Sequence, residues 1–166
     1  MPMVPFYTRC LETAAREARS LYVGKGQSLP VGQYVFTEFY CDEPDCDCRR
    51  VILHVHPPED LNEVLASITY GWETPAYYQA WSHGDIELAE EMAGATLELF
   101  DQQGLHASEL LTLTKDFLLA DPVYIDRLKR HYAEFKATPP DIGEAKKRSK
   151  RLIERLRPPG GSRKSR

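Results

Sequence analysis

Three cysteines stand close together in the first third of the chain, at Cys41, Cys46 and Cys48. Thiolates are soft ligands that suit zinc, which takes four ligands in a tetrahedral arrangement. The spacing Cys-x4-Cys-x-Cys is less specific for a metal site than two Cys-x-x-Cys knuckles are. Arg49 and Arg50 follow directly, and cations beside thiols favour the thiolate that metal binding and redox chemistry both need.

The three cysteines also admit other interpretations, namely an oxidation-prone pair, a disulfide, or small buried apolar residues. We favour a metal site, and a structural metal over a catalytic one. A catalytic zinc needs an open coordination position and a nearby general base. Glu38 and Glu73 are the only acids that we expect near enough to act as that base.

The strands on either side of the cluster predict how the thiols meet. Residues 33–41 are rich in aromatic and β-branched types and predict a strand, and 48–56 predicts a second. If Cys41 lies opposite Cys48, their Cβ atoms are about 5 Å apart, and Cys46 can turn toward them from the loop. His54 and His56 are excluded as ligands, because they lie about 20 Å and 26 Å along the strand from Cys48.

A fourth ligand is missing within the loop, so it is expected from elsewhere in the chain. A third strand at 64–72, paired antiparallel with the second, would return to the cysteine tip. His83 follows soon after and is our preferred fourth ligand. The competing ligands are Cys10, Asp45, Asp47 and a water molecule.

The remaining pattern predicts the fold class. We expect an α+β protein in which a small antiparallel sheet of three to four strands, in a meander, packs against several helices that are mostly C-terminal. The Leu11–Tyr22 apolar spacing predicts a helix of about 14 residues after Thr8. Further helices are predicted to begin after four capping residues, Thr74, Asp85, Ser108 and Asp121.

Charge divides the chain into an acidic body and a basic end. Residues 144–166 carry a net charge of +8, whereas 1–143 carry −12. We therefore predict one domain over 1–143 and a basic, partly disordered tail over 144–166, helical to about 157 and disordered from 158. The tail has the charge for phosphate contacts with nucleic acid. The residues predicted to make them are Lys146, Lys147, Arg148, Lys150 and Arg151; a solvated tail without a ligand is the alternative.

Other functional signatures are absent from the sequence. It carries no phosphate-binding glycine loop and no recognisable nucleophile motif. Five aromatics between Tyr70 and Trp81 are interpreted as core between sheet and helix rather than as a base-stacking surface. No apolar run is long enough to cross a membrane and no signal peptide is apparent, so we expect a cytoplasmic protein without a membrane partner.

Four segments together resemble a bacterial protein family that has a Cys-x4-Cys-x-Cys-Arg-Arg hairpin and no assigned activity. They are 34–41 (YVFTEFYC), 46–51 (CDCRRV), 70–73 (YGWE) and 126–132 (DRLKRHY). The resemblance covers about 33–136 and implies a bacterial, cytoplasmic setting, but no substrate or catalytic residue. Our first hypothesis for function is a non-enzymatic zinc-binding domain with a structural metal. The alternatives are a nucleic-acid-associated accessory protein and a thiol redox or metal-dependent enzyme.

Overall fold

The computed structural model describes residues 2–141 and 143–157. Within these ranges no helix is long and apolar enough to cross a bilayer. The described chain forms six strands: β1 (Met3–Pro5), β2 (Arg19–Val23), β3 (Gly32–Cys41), β4 (Arg50–His56), β5 (Ala66–Gly71) and β6 (Ala95–Leu97). It also forms six α-helices: α1 (Leu11–Arg16), α2 (Pro75–Ser82), α3 (Ile86–Met92), α4 (Ala107–Leu113), α5 (Pro122–Ala137) and α6 (Ala145–Leu156). A 3₁₀ turn covers Phe6–Thr8, and a π-helical turn at Thr114–Leu118 continues α4.

All strand pairs in the single sheet are antiparallel. Strands β3, β4, β5 and β6 form a meander, and β1 and β2 share the outer edge of β3. The α+β class and the antiparallel pairing are therefore confirmed. The predicted count of three to four strands was too low. The helices are also not mainly C-terminal, because α1 precedes most of the sheet and α2 and α3 lie between β5 and β6.

The long helix predicted after Thr8 is wrong in its second half. Helix α1 ends at Arg16, and the chain pairs with β3 from Arg19, which lies opposite Phe36. Had the helix continued, the backbone groups along this edge of β3 would have lost their partners. Pairing satisfies those buried groups and favours a strand. The side chains of Leu21 and Val23 suit a strand as well as a helix.

The core lies on one face of the sheet, where α5 packs. Because strand side chains alternate between faces, Tyr34, Phe36, Glu38 and Tyr40 of β3 all point toward this helix. Nineteen buried residues make one contiguous apolar cluster across the strands and helices of this side. The most completely buried include Val51, Leu53, Val55, Ile68, Leu118, Leu128 and Phe135, each 0% exposed.

Three of the four predicted helix caps are confirmed. Thr74, Asp85 and Asp121 accept hydrogen bonds from the first-turn amides of α2, α3 and α5, respectively. These bonds satisfy amides that have no partner within the helix. Ser108 is not a cap, because α4 begins one residue earlier, at Ala107.

The basic segment at 144–157 is helical as predicted, and it packs against the body. Leu152 of α6 is 2% exposed. Arg148 donates hydrogen bonds to the carbonyl oxygens of Thr8 and Arg9, at 2.7 Å and 3.2 Å. Residues 158–166, for which disorder is predicted, lie outside the described residues.

Candidate metal centre

Cys41, Cys46 and Cys48 converge at the tip of the β3–β4 hairpin. Their sulfur atoms all lie within 4.8 Å of one another, and no disulfide joins them. A tetrahedral zinc with sulfur at about 2.3 Å places its sulfurs about 3.8 Å apart. A small inward movement of the side chains would thus complete three of four coordination bonds. The structure brings together the three ligands that the sequence predicts.

The route by which the thiols meet differs from the prediction. Strand β3 ends at Cys41, but β4 begins only at Arg50, and the last paired residues are Phe39 and Ile52. Cys48 therefore does not lie opposite Cys41, and the predicted register was wrong by two residues. Arg49 has a φ of 49°, a left-handed conformation that turns the chain from the loop into β4.

Backbone amides donate to two of the sulfurs. The amide of Glu43 donates to the sulfur of Cys41, and the amide of Arg50 donates to that of Cys48. In both cases the donor lies two residues after the cysteine. Hydrogen bonds to the charged form of a group favour that form. The loop backbone is thus arranged to stabilise thiolates.

When no cation is present, the burial of these sulfurs opposes the stabilisation of thiolates by the backbone amides. Burial first, and then the negative charges of Cys46 and Cys41, together raise the pKa of Cys48 to about 12. Burial is also the main cause that raises the pKa of Cys41. These two thiols are therefore protonated near neutral pH unless a cation stabilises the thiolates. A divalent metal supplies that charge directly.

Tyrosine hydroxyls from two helices hold the loop that carries the cysteines. Each donates to a backbone carbonyl: Tyr77 to Asp47, Tyr78 to Arg49 at 2.8 Å, and Tyr132 to Cys46 at 3.2 Å. From the sequence we interpreted the aromatics near Tyr77 only as core residues. That interpretation is correct for Tyr78, which is fully buried. No local signal could have identified Tyr132, which lies 86 residues from Cys46 along the chain.

Two of the acids near the tip, Asp47 and Glu73, are engaged by Arg49. Arg49 binds both carboxylate oxygens of Asp47, at 2.8–3.1 Å, and contacts Glu73 at 3.1 Å. The hydrogen bonds from Arg49 are the main cause that lowers the pKa of Asp47. Glu38 contacts His131 and Tyr40 in the core between the sheet and α5. Neither predicted general base is thus free to serve the tip.

The predicted fourth ligand does not join the cluster. His83 is exposed and ends α2 with a φ of 52°. Cys10 is buried in the core, where its thiol contacts the hydroxyl of Thr138 at 3.8 Å. Across residues 2–141 and 143–157, the cluster contains Cys41, Cys46 and Cys48 alone. The rest of the chain has no His, Cys, Asp or Glu.

The residues predicted to bind nucleic acid all lie on α6, and several are engaged within the protein. Arg148 contacts backbone carbonyls as described above, and Lys147 and Arg151 contact Glu144 at 2.8 Å and 3.8 Å. Lys146 and Lys150 are exposed. The part of the basic end that the structure describes is therefore a packed helix with a partly neutralised basic surface.

Comparison with protein-family models, with curated proteins and with solved structures found no match. The resemblance to a bacterial family therefore stays a prediction.

Proposed function

We propose that this protein is a non-enzymatic zinc-binding module in which Cys41, Cys46 and Cys48 hold a structural metal and the tip serves binding or assembly. The observation that carries the proposal is the convergence of three sulfurs within 4.8 Å at one hairpin tip. Two of these sulfurs also accept hydrogen bonds from backbone amides. Three thiolates favour zinc over the harder cations magnesium and calcium.

A structural role agrees with how the tip is built. Three tyrosine hydroxyls tie the loop carbonyls to α2 and α5. A metal bound at residues 41, 46 and 48 would add a cross-link between the end of β3 and the loop. Since the unfolded chain has no preformed site, the binding energy of the metal would add to the stability of the fold.

The redox alternative has less support. A reactive cysteine usually has a lowered pKa, because the thiolate is the nucleophile. Burial instead raises the pKa of Cys41 and Cys48. Arg49, which could have lowered these pKa values, is engaged by Asp47 and Glu73.

The nucleic-acid alternative also has less support. Three of the five predicted contact residues on α6 already bind groups of the protein itself. Lys146 and Lys150 would supply few of the phosphate contacts on which salt-dependent affinity depends.

Elemental analysis of the purified protein tests the proposal, with Cys46→Ser compared against the matched control Cys10→Ser. We expect about one zinc per wild-type chain, as a single site requires. Cys46→Ser should lose the metal, and Cys10→Ser should keep it because Cys10 lies in the core. At free zinc a hundredfold above the dissociation constant, wild type should gain about 2.7 kcal/mol. For a chain of this length that corresponds to a rise of about 5–11 °C in Tm.

Two results would contradict the proposal. One is a wild-type protein that, after reconstitution under reducing conditions, holds no zinc and shows no zinc-dependent Tm. The other is equal metal loss in Cys10→Ser and Cys46→Ser, which would indicate general misfolding instead of a site at the tip.

A further inference from the structure

The metal centre has three ligands from the chain, whereas zinc takes four. Among the described residues no other His, Cys, Asp or Glu joins the three cysteines. The residues outside the described ranges cannot supply one of these ligand types, because they contain none of them. The fourth position is therefore left without a ligand of these types from the chain as folded.

Three acids in and around the loop are paired with arginine. Asp47 is bound through both oxygens by Arg49, which also contacts Glu73. Asp42 pairs with Arg9. Coordination of the metal by any of these carboxylates would compete with an existing ion pair, and for Asp47 both oxygens are already engaged. Glu43 and Asp45 are exposed in the loop, and they are the internal alternatives that an experiment has to exclude.

The cluster is accessible from one side only. Cys41 and Cys48 are 0% and 1% exposed, whereas Cys46 is half-buried. Cys46 also lines an open groove together with Asp45, Asp47 and Trp81. A ligand from outside the chain would therefore approach along the groove, past Cys46 and the indole of Trp81.

The net charge around the site indicates whether that ligand is an anion or a neutral donor. Zinc with three thiolates carries a net charge of −1. The loop and the residues in contact with it contribute five acids and four bases, which adds a further charge of −1. The acids are Asp42, Glu43, Asp45, Asp47 and Glu73, and the bases are Arg9, Arg49, Arg50 and Lys136. A further anion would enter a region that is already negative, whereas a neutral donor avoids this repulsion. Imidazole nitrogen is the neutral side-chain donor that zinc prefers.

We infer that the fourth position of the metal is open and takes a neutral imidazole nitrogen from outside the folded chain, with Trp81 at its entrance. This inference rests on the proposed zinc site. The donor is either the histidine of a different protein or a histidine of a second copy of this chain. In both cases the tip would join two molecules through one metal.

Cobalt substitution tests the inference, because the visible d–d absorption of Co²⁺ changes when a ligand is exchanged. The full chain is loaded with one equivalent of Co²⁺ and titrated with imidazole, acetate or 2-mercaptoethanol in separate experiments. We expect a saturable change with imidazole at concentrations that leave the cobalt bound. Acetate and 2-mercaptoethanol at the same concentrations should give a smaller response.

Variants of the loop acids and of His83 test the origin of the fourth ligand, and variants of Trp81 test its role at the entrance. Under monomeric conditions, Glu43→Gln, Asp45→Asn and His83→Ala should leave both the cobalt spectrum and the imidazole titration unchanged, and a changed spectrum in Glu43→Gln would likewise overturn the inference. Trp81→Ala should weaken imidazole binding several-fold without loss of cobalt, and Trp81→Phe should restore it, since an aromatic ring can again stack on the ligand. Trp81 is therefore expected to position the ligand and not to bind the metal.

The outcomes separate this inference from the proposed function. Failure to bind Co²⁺ or Zn²⁺ overturns both. Bound Co²⁺ that ignores imidazole, or whose spectrum changes in Asp45→Asn or His83→Ala under monomeric conditions, overturns the inference alone. A stronger response to acetate or 2-mercaptoethanol overturns the choice of donor. If the spectrum depends on protein concentration and the chain sediments as a dimer, the imidazole comes from a second copy. A monomer that binds added imidazole excludes a second copy as the source.

Discussion

His131 is buried between two carboxylates at the centre of the interface between α5 and the sheet. Its side chain is 1% exposed. Its Nδ1 lies 2.7 Å from an oxygen of Glu38, and its Nε2 lies 2.6 Å from an oxygen of Glu17. Both ring nitrogens can donate at once only when the imidazole is protonated. Phe6 stacks on the ring, with 4.6 Å between centroids.

We predict that His131→Leu destabilises the fold by about 3–5 kcal/mol, the range observed when one partner of a buried ion pair is removed. The loss should fall mainly on Glu38, which is 10% exposed and would keep the hydrogen bond from the hydroxyl of Tyr40 but no opposite charge in contact among the described residues. Glu17 would retain Arg130, at 2.9 Å. The double variant His131→Leu/Glu38→Leu should recover much of the stability, because no buried charge is left without a partner.

The stabilisation should depend on pH in a defined window. Burial lowers the pKa of His131, but hydrogen bonds and charges from Glu38 and Glu17 outweigh burial and raise it above 6.5. The contribution of His131 is thus complete below pH 6.5 and is lost as pH rises through the folded-state pKa. Hydrogen bonds from Arg130 lower the pKa of Glu17 from 4.5 to about 2. The contribution of Glu17 is therefore present above pH 4.5 and is lost as pH falls toward 2.

Urea denaturation of wild type and His131→Leu at about pH 5.5 and about pH 9 measures this difference. The difference in unfolding free energy should be largest at the lower pH and should shrink as His131 loses its proton. A difference below about 1 kcal/mol at the lower pH, or one that grows toward the higher pH, would refute the ion-pair argument. Cys10→Ser serves as a control whose effect should change little between the two conditions.

Two further predictions concern the tip and α6. Tyr78→Phe removes a buried hydroxyl that donates to the carbonyl of Arg49 at 2.8 Å, so it should cost about 1–3 kcal/mol and weaken zinc affinity in a chelator competition. Leu152→Ala empties a site that is 2% exposed and should cost about 2–5 kcal/mol; hydrogen exchange should then lose protection in α6 while β4 stays protected. Unchanged zinc affinity in Tyr78→Phe, or unchanged exchange in Leu152→Ala, would contradict the respective argument.

The features that could be predicted from the sequence are those with local signals. The three cysteines stand within eight residues, and the caps Thr74, Asp85 and Asp121 each act on an amide two or three residues away. The strand at 33–41 is long enough for its composition to identify it. By contrast, β1 has three residues and exists as a strand only through its pairing with β3. Short edge strands of this kind are determined by their partner more than by their own composition.

The buried position of His131 was not predicted, although the sequence contains a signal for it. Basic residues precede His131 in the sequence, at Arg127, Lys129 and Arg130, and such a run is typical of a solvated helix face. However, His131 stands at helical spacing from Tyr124, Leu128 and Phe135, which are all buried, so periodicity places it on the apolar face. Its two carboxylate partners lie 93 and 114 residues away. Their contact with it follows from the tertiary fold and could not be predicted from spacing.

Helix α5 connects the core to the tip, and this determines what a bound metal can do. On one side His131 pairs with Glu38 of β3, and on the other Tyr132 and Lys136 donate to the loop carbonyls of Cys46 and Glu43. The core beneath the tip is one contiguous cluster of buried residues, whose packing needs no metal. Small zinc fingers depend on metal because their cores are too small to fold alone. On the proposed function, zinc here would instead stabilise a tip attached to an already folded domain, so metal loss should impair binding at the tip before it unfolds the protein.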